Sequence, residues 1–299
     1  MDDEWTTRFG ARLRRNEPMS RHTTFGIGGP ADVLVDVETP AELRDVLRHA
    51  RETGVPVHVI GRGANVLVSD EGIRGIVLRL TGGFRTLDFD VASSTVEAGA
   101  GVPLGLLVDE SCRRGFFDFC WAVGIPGTVG GAVVCNAGSW GHAIGRFVDE
   151  IRLVTPDGQD VILDGDVVDF GYRGTTMAVA GAVVTGVRLG LGRLASEGHD
   201  AGRLKAKYLS EKRRTQPLDV PSAGSVFKNP QGEAAGALID RAGCKGLRAG
   251  GAVVSEKHAN FIVNESGATA TDVLELVEVV RERVRDRFGV ELTLELRLL

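Results

Sequence analysis

The sequence predicts an α+β protein with a separate C-terminal domain. Three features favour this class: an early strand–helix–strand pattern, a following run of short strands, and a long amphipathic helix near the C-terminus. The short strands after residue 85 indicate an antiparallel sheet rather than a doubly wound parallel one. With 299 residues, the chain is long enough for two or three domains.

We expect a short lead-in, a larger domain of two subdomains, and a C-terminal domain. The expected limits are 1–20 for the lead-in, 21–84 and 85–193 for the subdomains of a domain spanning 21–193, and 201–299 for the last domain. The lead-in is predicted as a helix or an irregular segment. The last boundary is placed near residues 192–202, because hydrophobic periodicity breaks down there.

The first subdomain is predicted as a strand, a helix and two further strands. Residues 31–37 alternate like a strand. Thr39 is a suitable N-cap, Pro40 a suitable first helical residue, and Gly54 a suitable helix stop. The apolar residues of this helix share one face: Leu43, Val46, Leu47 and Ala50. Two buried strands are predicted at 55–60 and 76–80.

The second subdomain is predicted as mainly short strands. These strands lie at 95–98, 150–154, 161–163 and 183–191. Asp157-Gly158 indicates a hairpin turn between two of them. A helix at 103–113, ended by Gly115, interrupts the strands.

The C-terminal domain is predicted to contain two helices and a terminal strand. A basic helix spans 202–214, and a longer helix spans 271–288 with Gly289 as its stop. The apolar residues of the longer helix are Val273, Leu274, Leu276, Val277, Val280, Val284 and Phe288. The terminal strand is predicted at 291–299.

Composition excludes several classes of function. The net charge of −5 argues against a nucleic-acid partner, because binding to a phosphate backbone needs a basic surplus. No window approaches 18 uninterrupted apolar residues, which argues against a membrane span. The acidic N-terminus is unlike a signal peptide, so we expect a cytoplasmic protein, and we expect a monomer.

The four cysteines, Cys112, Cys120, Cys135 and Cys244, show no C-x-x-C pattern and no compact spacing. This pattern favours neither a zinc site nor a disulfide framework. We therefore expect buried, reduced thiols and no bound metal.

Glycine is over-represented, and the glycines cluster in defined loops. The chain has 41 glycines among 299 residues, about twice the usual share. One loop reads Gly-Arg-Gly-Ala-Asn at 61–65, and a second reads Gly-Ile-Pro-Gly-Thr-Val-Gly-Gly at 124–131. Two such loops suggest close approach to the phosphates of a dinucleotide such as FAD. The first loop is equally consistent with a simple tight turn, and the second with a structural crossover.

A cluster of reactive side chains lies at residues 221–230. Ser225 follows a glycine and precedes a Val-Phe pair, and Lys228 and Asn229 come directly after. A hydroxyl, an ammonium and an amide so close together suit an anionic, oxygen-rich ligand beside a proton donor. A Ser/Gly turn with a solvated lysine is the alternative.

Four motifs, in their order along the chain, resemble those of the UDP-N-acetylenolpyruvoylglucosamine reductase (MurB) family. They are Gly-x-Gly-x-Asn at 61–65, Gly-Ile-Pro-Gly-Thr-Val-Gly-Gly-Ala at 124–132, Tyr172-Arg173, and Ser-Ala-Gly-Ser-Val-Phe-Lys-Asn-Pro at 222–230. Residues 257–264 are similar to a further family segment. The resemblance covers about residues 20–299 and implies a two-subdomain FAD-binding unit of the flavin-oxidase (PCMH) type, followed by an α+β substrate domain.

The resemblance also implies an activity. Members of this family reduce UDP-N-acetylglucosamine enolpyruvate to UDP-N-acetylmuramate in peptidoglycan precursor synthesis, with NADPH and noncovalent FAD. By resemblance, Ser225 donates the proton to the substrate carbon, Arg173 pairs with the substrate carboxylate, and Glu295 holds or shares a proton at the enol. A rigid, permanently charged guanidinium suits a carboxylate. From the residues alone, Glu295 is equally suited to an ion pair with Arg297 or to a surface position.

The binding residues are also implied by resemblance. For FAD they are Gly61, Arg62, Gly63, Ala64, Asn65, Gly124, Ile125, Pro126, Gly127, Thr128, Gly130 and Gly131; for the UDP-sugar substrate they are Tyr172, Lys228 and Asn229. One or two of seven cations are expected to reach the diphosphate: Lys228 and, in the basic helix, Arg203, Lys205, Lys207, Lys212, Arg213 and Arg214.

The chain departs from the family pattern at three places. It lacks the extra tyrosine-bearing loop after Arg173 and so resembles the shorter type. Ser139-Trp140 stands where a tyrosine often follows Asn-Ala-Gly, and Thr293-Leu294 stands where Glu-Pro is usual.

Two other functions are consistent with these features. The first is another FAD-dependent oxidoreductase acting on a sugar or hydroxy acid; many of these attach FAD to a histidine near the first glycine loop, where this chain has only His58 in the preceding strand. Acid precipitation separates the two cases, since only noncovalent flavin stays in the supernatant. The second is a nucleotide-sugar-binding module without chemistry, which turnover with NADPH would exclude.

Overall fold

The computed structural model describes residues 3–177, 179–192 and 200–299. Most of the boundary predicted at 192–202, and the predicted domain end at 193, lie outside the described residues. Within these ranges, no helix is long and apolar enough to cross a membrane.

The α-helices of the described residues range from one and a half turns to five turns. They are α1 (Asp3–Phe9), α2 (Pro40–Thr53), α3 (Leu104–Arg113), α4 (Val129–Val134), α5 (Ala201–Thr215), α6 (Ala235–Arg241) and α7 (Ala270–Phe288).

The β-strands of the same ranges are mostly short, as predicted. They are β1 (Leu13–Pro18), β2 (Pro30–Val37), β3 (Val57–Val59), β4 (Val66–Leu67), β5 (Ile73–Leu80), β6 (Leu87–Asp90), β7 (Thr95–Gly99), β8 (Gly138–Ser139), β9 (His142–Ala143), β10 (Val148–Val154), β11 (Asp160–Asp164), β12 (Asp169–Gly171), β13 (Gly174–Thr176), β14 (Val183–Gly190), β15 (Ser222–Ser225), β16 (Arg248–Ala249), β17 (Ala252–Val254), β18 (Phe261–Asn264) and β19 (Arg297–Leu298).

The chain divides into two compact units that are each discontinuous in sequence. The first unit consists of Met1–Arg15, Val33–Gly61 and Gly75–Ser210; the second consists of Asn16–Asp32, Arg62–Arg74 and Glu211–Leu299. Each unit has its own hydrophobic core. The domain limits given in the sequence analysis stay a prediction.

The sheets confirm the α+β class. In the first unit, a five-stranded antiparallel sheet has the order β11-β10-β14-β7-β6. A four-stranded sheet has the order β1-β2-β5-β3, in which β3 and β5 are parallel. In the second unit, an antiparallel sheet has the order β15-β18-β17-β16, and β19 pairs in parallel with β4.

Helix α2 forms where its local signals predict. The Thr39 side chain accepts a hydrogen bond from the Glu42 N–H, Pro40 occupies the first turn, and Gly54 ends the helix at a positive φ. The four predicted apolar residues are its buried face.

Helix α7 shows the same agreement at its ends. Thr269 and Asp272 form a reciprocal capping box, and Gly289 is the left-handed C-cap. The Asp70 carboxylate also accepts hydrogen bonds from the Ala270 and Thr271 amides, which adds negative charge at the helix N-terminus.

Some sequence predictions were wrong. Leu274, listed among the apolar residues of α7, is exposed, whereas Val273 is fully buried, because consecutive residues lie about 100° apart around a helix. Of the strand predicted at 291–299, only Arg297–Leu298 is a strand, and Leu294 forms an isolated bridge with Phe227. The Glu295 and Leu296 amides between them both donate to the Val226 carbonyl, which interrupts the ladder. The lead-in contains strand β1, and the second glycine loop runs into helix α4; neither was predicted.

Asp36 is a carboxylate of β2 whose side chain is 14% exposed. Arg79 donates to it at 2.6 and 2.8 Å, and Arg14 donates at 2.7 Å. Burial by itself raises the pKa of Asp36, but the hydrogen bonds from Arg79, and then Arg14, outweigh burial and hold the pKa below its ordinary value of 3.8. Because the pKa is lower in the folded chain, the ionised form stabilises the fold above about pH 4, and this contribution is lost as the pH falls through the folded-state pKa.

Asp36→Asn is therefore expected to lower the free energy of unfolding at pH 7 by about 1–3 kcal/mol, because two guanidinium groups lose their ionic acceptor. In urea titrations, the difference from the native chain should shrink below about pH 4. Asp160→Asn is the matched control, since its ion pair with Arg44 is exposed and should contribute little. An equal loss at pH 7 and in acid would contradict the argument.

Candidate active site

Gly61 and Thr128 bring the end of the first unit's β3 segment against the second glycine loop. A Cβ on Gly61 would lie 2.5 Å from Thr128 Oγ1, closer than real carbon–oxygen contacts allow. The Thr128 hydroxyl also accepts a hydrogen bond from the Gly131 N–H and caps α4. The glycine at 61 is thus required by the protein's own packing, and not only by a ligand as the sequence suggested.

The second glycine loop is fixed to the rest of the first unit by backbone hydrogen bonds. The Gly127 carbonyl accepts from Leu104 N–H, Val129 N–H donates to Val102, and Gly130 N–H donates to Ala100. Ile125 N–H donates to Ala122. Pro126 and Gly124 are exposed, whereas Thr128 and Gly130 are buried.

Several amides of this loop remain available to a ligand. Among the described residues, the N–H groups of Gly124, Gly127 and Thr128 have no protein acceptor. Thr128 is buried, and a buried amide without an acceptor is rare in native proteins. The loop therefore fits an anionic ligand such as the phosphate part of FAD.

The first glycine loop continues into the second unit, and it also has backbone amides without a protein acceptor among the described residues. Within the described ranges, the four consecutive amides of Arg62–Asn65 donate to no protein acceptor. The Gly63 carbonyl accepts from Thr24 N–H, which fixes the loop to residues of its own unit. Consecutive free amides suit a phosphate or another anion. Arg62 is exposed, Gly63 is buried, and Ala64 and Asn65 are half-buried.

Tyr172 and Arg173 form the two-residue tip of the β12–β13 hairpin of the first unit. Arg173 has φ +57°, which the turn imposes on it. Its Nη1–H donates to the Gly138 carbonyl at 3.0 Å, and its guanidinium lies 6.0 Å from the centre of the Tyr172 ring. Tyr172 itself is largely exposed.

Two contacts attach this hairpin to the second glycine loop through α4. Thr175 Oγ1 donates to the Val133 carbonyl at 2.5 Å, and Asn136 Nδ2 donates to the Gly171 carbonyl at 2.8 Å. Val133 belongs to α4, and Asn136 lies two residues beyond the end of this helix. The structure thus brings Arg173 and the Gly124–Gly131 loop to one helix of the first unit.

Ser225 ends strand β15 in the second unit, where its position is set by Asn260. Asn260 Oδ1 accepts from Phe227 N–H at 2.9 Å and Asn260 Nδ2 donates to the Phe227 carbonyl at 2.8 Å, while its own carbonyl accepts from Val226 N–H. The pairing of β15 with β18 ends at Ser225, and the buried Asn260 side chain supplies hydrogen bonds to the backbone just beyond it. The Ser225 hydroxyl makes no hydrogen bond with any described residue.

Glu295 and Ser225 lie on adjacent backbone segments. Glu295 N–H donates at 2.9 Å to the carbonyl of Val226, which directly follows Ser225. Asn65 Nδ2 donates at 3.2 Å to the Glu295 carbonyl. Three sequence-predicted residues, Asn65, Ser225 and Glu295, therefore meet in the second unit.

A cavity of about 350 Å³ opens beside Ser225 in the second unit. Lys245, Lys257, His258 and Asn229 line it together with Ser225. Burial lowers the pKa of His258, and the charge of Lys245 acts in the same direction. Asp240 also lines the cavity and is paired with Lys245 at 2.7 Å, so the lining carries two lysines and one carboxylate. The cavity has the size of a small-ligand site.

The sequence analysis assigned no role to Lys245, Lys257 and His258. The segment at 257–264 was noted only as a resemblance, and Lys245 carries no local signal, since it reaches the cavity through the turn after α6. Two residues assigned to the substrate also hold the backbone: Asn229 Oδ1 accepts from Ala235 N–H, and Lys228 N–H donates to the Thr293 carbonyl.

The basic helix, α5, gives fewer available cations than its composition suggests. Lys205 is paired with Asp109 at 3.0 Å, and Arg214 is paired with Glu211. Lys212 is buried. These pairs reduce the number of cations that remain for a diphosphate.

The sequence matches two family models. The model of the C-terminal domain of UDP-N-acetylenolpyruvoylglucosamine reductase matches residues 216–299, and that of an FAD binding domain matches residues 31–164. A UDP-N-acetylenolpyruvoylglucosamine reductase 2 from Symbiobacterium thermophilum is 47% identical over 287 residues, covering 96% of this chain and 92% of the relative.

Two solved structures are also similar to this chain. The crystal structure of UDP-N-acetylenolpyruvylglucosamine reductase (MurB) from Thermus caldophilus has a TM-score of 0.82 at 39% identity and covers 96% of this chain and 98% of its own. A variant of Physcomitrella patens BBE-like 1 has a TM-score of 0.50 at 20% identity, covering 65% of this chain and 45% of its own. The second likeness is one of fold alone.

Proposed function

Because the chain belongs to the UDP-N-acetylenolpyruvoylglucosamine reductase family, it is an FAD-dependent oxidoreductase of peptidoglycan precursor synthesis, and we propose that Arg173, Ser225 and Glu295 are its catalytic residues. The substrate is UDP-N-acetylglucosamine enolpyruvate and the product is UDP-N-acetylmuramate. NADPH is proposed as the reductant. The observation that carries the proposal is the backbone hydrogen bond from Glu295 to Val226, which holds a carboxyl group and an unpartnered serine on adjacent segments.

The two glycine loops are proposed to bind FAD through the amides that lack protein acceptors. These belong to Gly124, Gly127 and Thr128 in one unit and to Arg62–Asn65 in the other. Bound FAD supplies the hydride that reduces the enolpyruvyl double bond. Since His58 lies in β3 rather than in a loop, we propose noncovalent binding.

Arg173 is proposed to bind the carboxylate of the enolpyruvyl group. Hydride addition at the terminal carbon places negative charge on the carbon that bears this carboxylate, and a nearby guanidinium stabilises that charge. The hydrogen bond to Gly138 and the turn at the hairpin tip fix the direction of the side chain. Tyr172 supports it from the same tip.

Ser225 is proposed to donate its hydroxyl proton to the charged carbon. A serine is a weak acid, so the proton must be replaced quickly and the acceptor must be strongly basic. Ser225 lines a cavity, and its hydroxyl makes no hydrogen bond with the residues that the structure describes, which keeps its proton available. Glu295 is proposed to hold or share a proton at the enol oxygen.

Lys228 and Asn229 are proposed to bind the nucleotide part of the substrate, as the family resemblance implied. Asn229 lines the cavity beside Ser225. Its Oδ1 also accepts a hydrogen bond from Ala235 N–H, which fixes the side chain at the start of α6.

Gly127→Val is expected to give a folded protein without bound flavin. Gly127 has φ +134°, which a β-branched residue does not adopt, so the loop would lose the conformation that presents its amides. Flavin content is measured from the absorbance spectrum, and folding from circular dichroism. Gly105→Val is the control, because a Cβ there meets nothing within 4 Å. Full flavin occupancy in Gly127→Val would remove this loop from the cofactor site.

Arg173→Lys is expected to lower kcat/KM for the enolpyruvyl substrate by about 10- to 100-fold. Lysine keeps the charge but cannot form two parallel hydrogen bonds to a carboxylate. Arg188→Lys, on the sheet surface of the same unit, is the control and should leave turnover unchanged. Native turnover in Arg173→Lys would make Arg173 a purely structural residue.

Ser225→Ala is expected to separate the two half-reactions in anaerobic stopped-flow measurements. Reduction of the flavin by NADPH should stay near the native rate, because the hydroxyl has no part in it. Reoxidation by the enolpyruvyl substrate should slow by about 10²- to 10⁴-fold, the usual effect of losing a general acid.

Two further variants make this test specific. Ser222→Ala, at the start of the same strand, should leave both rates unchanged. Ser225→Cys should recover part of the second rate, since a thiol of similar shape can donate a proton. Slowing of both half-reactions in Ser225→Ala would indicate a role in folding or flavin binding, and slowing of neither would exclude Ser225 from the mechanism.

A further inference from the structure

Cys112 and Cys120 are in contact in the first unit, although their spacing in the sequence did not indicate a pair. Their Sγ atoms lie 3.2 Å apart. Cys112 is in the last turn of α3, and Cys120 begins the 3₁₀ turn Cys120–Ala122. A disulfide requires about 2.0 Å between the sulfurs, so the two side chains need to approach by only about 1.2 Å. The fold has already closed the loop between them.

We propose that Cys112 and Cys120 are a redox-active dithiol, which thiol–disulfide exchange with an oxidised low-molecular-weight disulfide converts into an intramolecular disulfide. This proposal is independent of the proposed catalytic residues. The expectation that all four thiols are buried was wrong, since Cys112 is only partly buried.

The surroundings give the two thiols different access to a reagent. Cys112 lines a cavity of about 380 Å³ together with Asp109, Lys205 and Asp200. Cys120 is fully buried. A disulfide in solution therefore reaches Cys112 first, and Cys120 lies behind it as the second thiol.

The charges around the two thiols also favour Cys112 as the first to react. The hydrogen bond from Cys120 lowers the pKa of Cys112, and the Lys205 ammonium acts in the same direction, whereas burial and Asp109 oppose it. The same hydrogen bond, together with burial, raises the pKa of Cys120. Lys205 is held near both sulfurs by its ion pair with Asp109. Cys112 is thus the better thiolate and the attacking residue.

The exchange balances in two steps. The Cys112 thiolate attacks one sulfur of the external disulfide, and the first thiolate leaves. Cys120 loses its proton to solvent and attacks the Cys112 sulfur of the mixed disulfide, and the second thiolate leaves. Two cysteine thiols are oxidised, and one external disulfide is reduced to two thiols.

A disulfide between Cys112 and Cys120 would change the contacts of Cys120 with two other segments of the chain. The single Cys120 S–H can be directed to Cys112 Sγ or to the Ala201 carbonyl, which lies 3.4 Å from Cys120 Sγ, and a disulfide has no S–H for either hydrogen bond. The turn that Cys120 begins is separated from Gly124 only by Val123. Oxidation would therefore act on the start of α5 and on the segment that enters the second glycine loop.

The test uses the reduced full-length protein, equilibrated anaerobically with mixtures of reduced and oxidised glutathione. The samples are quenched in acid, alkylated with N-ethylmaleimide and analysed by intact mass and peptide mapping. As the oxidised fraction rises, two of the four thiols should become unreactive, and a cross-linked peptide should join Cys112 to Cys120. Cys244→Ser should leave this cross-link unchanged.

Two variants distinguish the attacking thiol from the second thiol. Cys120→Ser should accumulate a stable glutathione adduct on Cys112, whereas Cys112→Ser should form none on Cys120. The proposal is overturned if all four native thiols stay reactive across the titration, if the native protein retains glutathione on Cys112 without forming the cross-link, or if either cysteine joins Cys135 or Cys244 instead.

Discussion

The contact between Gly61 and Thr128 is the constraint on which the arrangement of the first unit's site depends. It is possible only because residue 61 has no side chain. Thr128 also caps α4, and the α4 segment in turn holds the Tyr172–Arg173 hairpin through Val133 and Asn136. One close contact therefore fixes a glycine loop, a short helix and Arg173 relative to one another.

In the second unit, a buried side-chain amide pairs with backbone groups at the end of a strand. Strand β15 ends at Ser225, and the backbone beyond it would be left without partners. The Asn260 side chain satisfies the N–H and the carbonyl of Phe227, and the Val226 carbonyl accepts from Glu295. Because buried backbone groups must be paired, the same hydrogen bonds that stabilise the strand end also place Ser225 beside Glu295.

Both units leave a few backbone amides without protein partners, and these lie in the loops where the sequence motifs predicted a ligand. A ligand or water that accepts their hydrogen bonds offsets the cost of these amides. Similarity to reductases over nearly the whole chain and to FAD-binding folds agrees with this interpretation. The contact between Cys112 and Cys120 lies shortly before one of these loops in the chain, and no sequence motif indicated it.

The sequence by itself determined the α+β class, the family, and those elements whose ends carry local signals. Helices α2 and α7 are examples, because their caps, stops and apolar faces are set by residues within a few positions of one another. Tertiary structure alone decided the pairing of Asn65 with Glu295, the contact of Cys112 with Cys120, the position of Lys245 in the cavity, and the grouping of residues 16–32 and 62–74 with the C-terminal segment. These depend on which distant groups satisfy one another once both cores have packed, and the periodicity of a segment holds no information about its distant partners.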